Sequence, residues 1–197
     1  IEAALGSSKM DEIWVSSNDE SILKLAESLK VDQLIRPDEY ADDQSSAIEV
    51  VNHFLSTISS RENFKDDFIV YLQPTSPIRN SHHIDAAIGN MLKNNFNSLV
   101  SVCLLRKSPY KAFLIDQGGM LQALFDEELS NARRQDLQNV YIPNGAIYIF
   151  QIKEFIDRSG FPSNGSLPFI MSENDSTDID EEEDLTKAER IMRIKNA

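Results

Sequence analysis

The chain has 197 residues, 41% of them apolar and 26% charged, and a formal net charge of −13. That balance suits one globular domain with a full core. No apolar run reaches membrane-spanning length, and no secretory signal pattern is present. No basic face offsets the acidity, which argues against a nucleic-acid duplex as partner but leaves room for a nucleotide, which needs only a local set of donors or a metal.

The single cysteine, Cys103, excludes an intramolecular disulfide and fits a reducing compartment. It sits in the apolar run "SLVSVCLL", so a structural thiol is expected rather than a nucleophile. The chain opens on "IEAALGSS", with no initiator Met and no helix cap, as if partway through a domain.

Apolar runs and helical stripes then alternate. "EIWVSS" reads as a short strand and "ESILKLAESLKV" as the helix after it. "SSAIEVVNHFLSTI" carries a helical stripe at Ile48, Val51, Phe54, Leu55 and Ile58. "DFIVYLQ" reads as a strand buried on both faces. "SHHIDAAIGNMLKN" is a helix capped by Asn80 or Ser81, and "SLVSVCLL" is another buried strand. "KAFLIDQGGMLQALF" breaks the rhythm as a hairpin around Gln117-Gly118-Gly119, followed by the polar, partly helical "DEELSNARRQDLQN". Residues from about 106 to 140 therefore read as an insertion suited to packing on a partner subunit. The core resumes with the strand "NGAIYIF", the helix "IKEFIDRSG", the strand "FIMSE" and a last helix from about Glu181. This alternation predicts an α/β fold, a mainly parallel sheet covered on both faces.

Four stretches carry candidate chemistry. In "STDIDEEEDL", Asp178 and Asp180 are two apart and point to one side of extended backbone. Such a pair suits a hard cation such as Mg²⁺; a cap and turn is the equal alternative. Glu181 to Asp184 open a helix and complement its dipole. "LQPTSPIRN" leaves a strand for a helix, where open α/β sheets bind ligands. Pro74 and Pro77 stiffen it and preorganise Gln73, Thr75 and Ser76, with Arg79 beside a helix start able to hold an anion. "YIPNGAIYIF" offers Asn144-Gly145, ordinarily a turn, and Tyr148, ordinarily core packing. "VSSND" offers Ser16 and Ser17 at a strand end, with Asn18 or Asp19 as cap. Lys111 and Arg134 flank the insertion with Arg106, Lys107 and Arg133, and matter only if the insertion folds over an anionic substrate. His53, His82 and His83 form no metal spacing.

"YLQPTSPIR", "PNGAIYIF" and "STDIDEEEDLTKAE", in this order, with "VSSNDESI" and "IRPDEYADDQSSA" before them, resemble the CMP-sialic acid synthetases (N-acylneuraminate cytidylyltransferases) from Ile1 to the C-terminus. The resemblance implies a three-layer, Rossmann-like nucleotidyltransferase domain over residues 1–197. It implies a reaction of CTP with a nine-carbon α-keto acid sugar, and a homodimer built by the protruding segment. It implies Ser16 on the cytidine side, with Gln73, Thr75, Ser76 and Pro77 at the nucleotide–sugar junction and Arg79 following. Asp178 and Asp180 would be the Mg²⁺ carboxylates, with Asp180 also a candidate base. Asn144 and Tyr148 would lie on the sugar side, and Lys111 and Arg134 would be offered to the sugar or its carboxylate from either subunit. A cytoplasmic location follows from where such substrates reside.

There are two departures. The family's opening strand and Gly- and Lys-containing triphosphate loop have no counterpart here, so these residues alone are expected to bind CTP poorly, with a gap or open edge in the sheet. The family's usual Arg before "PNG" is Ile142, which shifts expectation from N-acetylneuraminate toward a related nonulosonate such as legionaminate. The alternatives are a synthetase for another keto-deoxy sugar or nucleotide, and a non-catalytic homologue.

Overall fold

The computed structural model describes residues 1–42 and 45–195. A short helix α1 (Glu2–Leu5) leads to strand β1 (Trp14–Ser17), helix α2 (Glu20–Ser28) and strand β2 (Asp32–Ile35). β1 and β2 pair in parallel as a two-stranded unit, Trp14 opposite Asp32. Asp19 caps α2, accepting from the Ser21 and Ile22 amides. Helix α3 (Ala47–Ile58) begins with a reciprocal capping box between Ser46 and Glu49.

Strand β3 (Phe68–Tyr71) is followed by helix α4 (Ser81–Lys93), capped by Asn80, and strand β4 (Ser98–Leu104). Strands β5 (Phe113–Ile115) and β6 (Leu121–Ala123) form the hairpin, and helix α5 (Glu127–Asn131) follows. Asp116 Oδ1 closes the hairpin turn by accepting from the Gly118 and Met120 amides. Strand β7 (Tyr141–Gln151), helix α6 (Ile152–Arg158), strand β8 (Leu167–Ile170) and helix α7 (Glu182–Lys195) complete the chain.

The main sheet has the order β3-β7-β4-β8. β4 and β8 are parallel, while β7 runs antiparallel to both its neighbours, β3 and β4. Three strands share a direction, as expected of a mainly parallel sheet, and the longest, β7, runs against them. "DFIVYLQ" differs from expectation. Among the described residues β3 pairs only with β7, an edge position, and Phe68 at its start is exposed. The last strand begins earlier than "FIMSE", because Leu167–Ile170 is the part that reaches β4.

Strand alternation sorts the core into two layers. Ile147 and Ile149 of β7 pack with Val70 of β3 and with Ile84, Ala87, Ile88 and Met91 of α4. Tyr148 and Phe150 face the other way, with Ile69 and Tyr71, onto Val51 and Leu55 of α3 and Phe155 of α6. Each fully buried Ile or Phe contributes roughly 1.5–3 kcal/mol. The sheet is therefore held rigidly at its centre, and the loops at its edge are free to carry a site.

Candidate active site

The carboxyl end of β3 delivers the loop Leu72–Asn80. Its turn closes through the Arg79 amide, which donates to Ser76 O at 3.4 Å. The Arg79 side chain folds back under the loop, and Nη1 donates to Gln73 O at 2.9 Å and to Ala146 O at 2.8 Å. One guanidinium thus clamps the loop to β7. Burial pushes Arg79 down to about 10, in a setting where burial is the whole cause of the shift. A desolvated cation of this kind is stabilised by an anion.

Opposite the loop, β7 bulges. Val100 pairs with Tyr148 and Val102 with Pro143, so Ser101 alone faces the four residues 144–147. Gly145 sits in this bulge at φ +73°. A Cβ there would lie 2.4 Å from Gln73 Oε1, 3.4 Å from Asp178 Oδ2 and 3.5 Å from Ser76 Oγ. Three functional groups from two segments, the Leu72–Asn80 loop and the stretch around Asp178, thus converge on the bare face of one glycine. Asp178 is brought in by an extended stretch whose Ile179 amide donates to Thr75 O at 2.9 Å.

Three polar atoms here are buried without a hydrogen-bond partner: Ser76 Oγ, Arg79 Nε and Asp178 Oδ1. Ser76 is 1% exposed. Buried polar groups are nearly always paired, so three such atoms in one small region make it the candidate site. Tyr148 adjoins it: burial, then the Asp178 charge, raises its phenol above the usual value. Tyr71, Tyr148 and Phe161 pack ring to ring at 5.2 to 6.3 Å, an aromatic wall beside the carboxylate.

The structure therefore gathers Gln73, Ser76, Arg79, Gly145 and Asp178, with Thr75 joining the segments by its carbonyl and Pro77 half-buried in the same loop. Asn144 is only 5% exposed, with both ends of its carboxamide taken by the protein. Asp180 lies exposed beyond Asp178, its amide donating to Asp184 Oδ2. Ser16 ends up under Arg36, which donates through Nε to Ser16 Oγ and through Nη2 to Ser16 O. Sequence reasoning passed over Arg36; its signal was its place at the carboxyl end of β2. It also passed over Ser101 and Ser176, which carry no motif.

Lys111 and Arg134 meet elsewhere. With Lys107, Ser108, Pro109 and Ala112 they line an open cleft of about 320 Å³ within the insertion. Lys111 Nζ donates to Ser130 O. The insertion is tied to the loop after β8 by an Arg106–Glu173 ion pair.

No group of three or more His, Cys, Asp or Glu side chains able to hold a metal ion occurs among the described residues. The site fits a cation of the kind that takes one or two carboxylates and completes its shell with phosphate and water oxygens. Asp178, with its unpaired buried oxygen, is the residue that would hold it, and Asp180 is the second candidate.

The mixed α/β sheet with helices against it is a nucleotidyltransferase fold. A structure of CMP:2-keto-3-deoxy-manno-octonic acid synthetase complexed with CTP shares it, with a TM-score of 0.64, 12% identity, and coverage of 98% of this chain and 86% of that one. The profile of the family described as "Cytidylyltransferase" matches residues 1–194, and the chain belongs to that family. It is 34% identical over 197 residues to an N-acylneuraminate cytidylyltransferase of Escherichia coli, covering all of this chain and 45% of that protein. It is 26% identical over its whole length to a pseudaminic acid cytidylyltransferase of Campylobacter jejuni, covering 84% of it. The chain spans under half the length of several curated relatives it matches. Among the described residues no helix is long and apolar enough to cross a membrane.

Proposed function

We propose that this chain provides the catalytic domain of a cytidylyltransferase that couples CTP to a nonulosonic acid, releasing pyrophosphate. The observation that carries the reading is the set of three buried, unpartnered atoms, Ser76 Oγ, Arg79 Nε and Asp178 Oδ1, in the Gln73–Gly145 region. A sugar hydroxyl attacks the α-phosphate, and catalysis is mostly positioning and charge neutralisation. Ser76 donates to a phosphate oxygen, and Arg79 supplies the fixed positive charge. Gly145 lets Gln73 approach the backbone of β7, and Gln73 orients the junction of nucleotide and sugar. Asp178, with Asp180, holds Mg²⁺, which when bound neutralises phosphate charge and lowers the pKa of the attacking hydroxyl. Asp180, exposed to water, is the proposed proton acceptor. Ser16, held by Arg36, lies on the cytidine side, and Tyr148 forms the wall against the sugar.

The exposed hairpin supports a homodimer. Ile115 is 74% and Leu121 70% exposed, beside Phe113, Leu114, Met120 and Phe125. Exposed apolar side chains gathered on one hairpin suit a protein-binding surface, and a second copy of the chain is the proposed occupant. The arm would then carry the Lys107–Lys111–Arg134 cleft toward the neighbouring site, where the sugar carboxylate sits.

The test is pyrophosphate release from CTP and Mg²⁺ by the full natural chain containing these residues. N-acetylneuraminate, legionaminate and pseudaminate are assayed in parallel. Release with one of them supports the reading; silence with all three from folded protein overturns it. Ile142, apolar where an Arg is usual, favours legionaminate or pseudaminate over N-acetylneuraminate.

A further inference from the structure

The bulge at residues 144–147 raises an accounting question. Four residues of β7 face Ser101 alone, so their backbone groups lose ordinary ladder partners. Side chains replace them. The Ile147 amide donates to Ser101 Oγ at 2.7 Å, and the Ala146 amide donates to Asn144 Oδ1 at 3.2 Å. Ala146 O accepts from Arg79. Ser101, itself fully buried, donates its hydroxyl to Asn144 Oδ1 at 2.6 Å.

The other end of the same carboxamide reaches a different segment. Asn144 Nδ2 donates to Ser176 Oγ at 2.8 Å and lies 3.4 Å from Met171 Sδ. The Ser176 hydroxyl in turn donates to Ser172 O at 2.7 Å, and Ser176 lies two residues before Asp178. Asn144 Oδ1 accepts twice and Nδ2 donates to a hydroxyl, all inside the protein. A fully engaged, buried amide rigidifies what it joins.

We propose that Asn144 is a positioning residue that, through Ser101 on one side and Ser176 on the other, fixes the Gly145 bulge and the Asp178 carboxylate relative to each other. This rests on the reading of Asp178 as the metal carboxylate. It moves Asn144 from the sugar to the scaffold that supports the metal ligand. Partners of this outer kind orient ligands and are worth on the order of 10–100-fold in metal affinity.

Ser176 is half-buried and separates the two roles, since its hydroxyl serves Asn144 and Ser172 and nothing in the sugar region. Mn²⁺ binding is followed by EPR in the full natural chain with CTP and no sugar, and KM for the preferred sugar acid is measured separately. Ser176→Ala is expected to weaken Mn²⁺ binding roughly 10-fold and to leave the sugar KM within about 2-fold, while Ser176→Thr, which keeps the hydroxyl, restores binding. Asn144→Ala is expected to show the same loss, and the double variant no more than either single change, because both break one link. If Asn144→Ala does not fold, the Ser176 pair decides.

Two results overturn the proposal: unchanged Mn²⁺ binding in Ser176→Ala, or additive losses in the double variant with Asn144→Ala raising the sugar KM. Asp178→Asn is the reference. If it abolishes Mn²⁺ binding while Ser176→Ala does nothing, only the positioning role fails. If it too leaves binding intact, the metal reading fails and takes the positioning role with it.

Discussion

Gln73 and Gly145, 72 positions apart in the chain, face each other so closely that a Cβ on the glycine would lie 2.4 Å from Gln73 Oε1. Gly145 also holds φ +73°, a region that costs an L-residue about 1–2 kcal/mol. Gly145→Ala is therefore expected to lower the thermal midpoint by a few degrees. Turnover should fall much further, on the order of 100-fold or more, because a displacement of about 1 Å costs that much in a positioned reaction. Parallel melting and pyrophosphate-release curves check the split; equal, small losses in both would remove Gly145 from the site.

Asp178 carries a buried oxygen with no hydrogen-bond partner. Such a group destabilises the fold that contains it. Asp178→Asn should leave the thermal midpoint unchanged or slightly raised while turnover drops at least about 100-fold, the loss expected when an outright charge-stabilising group is removed. Near-normal turnover would take the metal away from Asp178.

The hairpin arm exposes more apolar surface than water tolerates well. Leu121→Glu, or Ile115→Glu, places a charge where a second copy is proposed to pack. The expected outcome is a shift from dimer to monomer in light scattering, with activity reduced because Lys111 and Arg134 no longer reach a neighbouring site. A wild-type protein that is already monomeric at high concentration would end that reading.

The junction of α4, the loop after β8 and α7 is expected to be sensitive to acid. His83 Nδ1 accepts from the Asn80 amide at 3.4 Å, and its Nε2 lies 3.9 Å from Asp175, which also pairs with Lys195. Burial lowers the His83 pKa below 6.5. Asp175 pulls it back up, while Lys195, His82 and Arg79 lower it further. Burial alone raises the Asp175 carboxyl, but the Lys195 and Ser172 hydrogen bonds outweigh it and hold it below 3.8. Both folded values lie under their unfolded ones. Each group thus contributes stability that is present above the unfolded value and lost as pH falls through the folded one. The first loss, from His83, begins as pH drops below 6.5. His83→Gln keeps a capping partner for Asn80 and removes the titration. The thermal midpoint of the variant should therefore change less between pH 7 and pH 5 than that of the natural protein. Identical slopes would dismiss His83 as the source.

Much of this protein was legible as a string. Asn18 or Asp19 and Asn80 or Ser81 announced two helix starts because capping depends on residues two or three apart. "SLVSVCLL" and "GAIYIF" announced core strands because apolar burial is written into composition. "QPTSPIR" announced a stiff, polar loop at a strand end because proline acts locally. What only the tertiary structure decided is where distant segments meet. β7 runs against its neighbours, a choice its apolar pattern does not encode, since alternation is the same in either direction. Asn144-Gly145, a turn by local chemistry, became a bulge inside a strand because Ser101 of β4 replaces the missing ladder bonds. Arg79, expected from its place near a helix start to hold an anion, turned out to clamp two backbones. Local preferences set the elements; the convergence of Gln73, Ser76 and Asp178 on one bare glycine needed long-range packing, which no spacing along the chain can state.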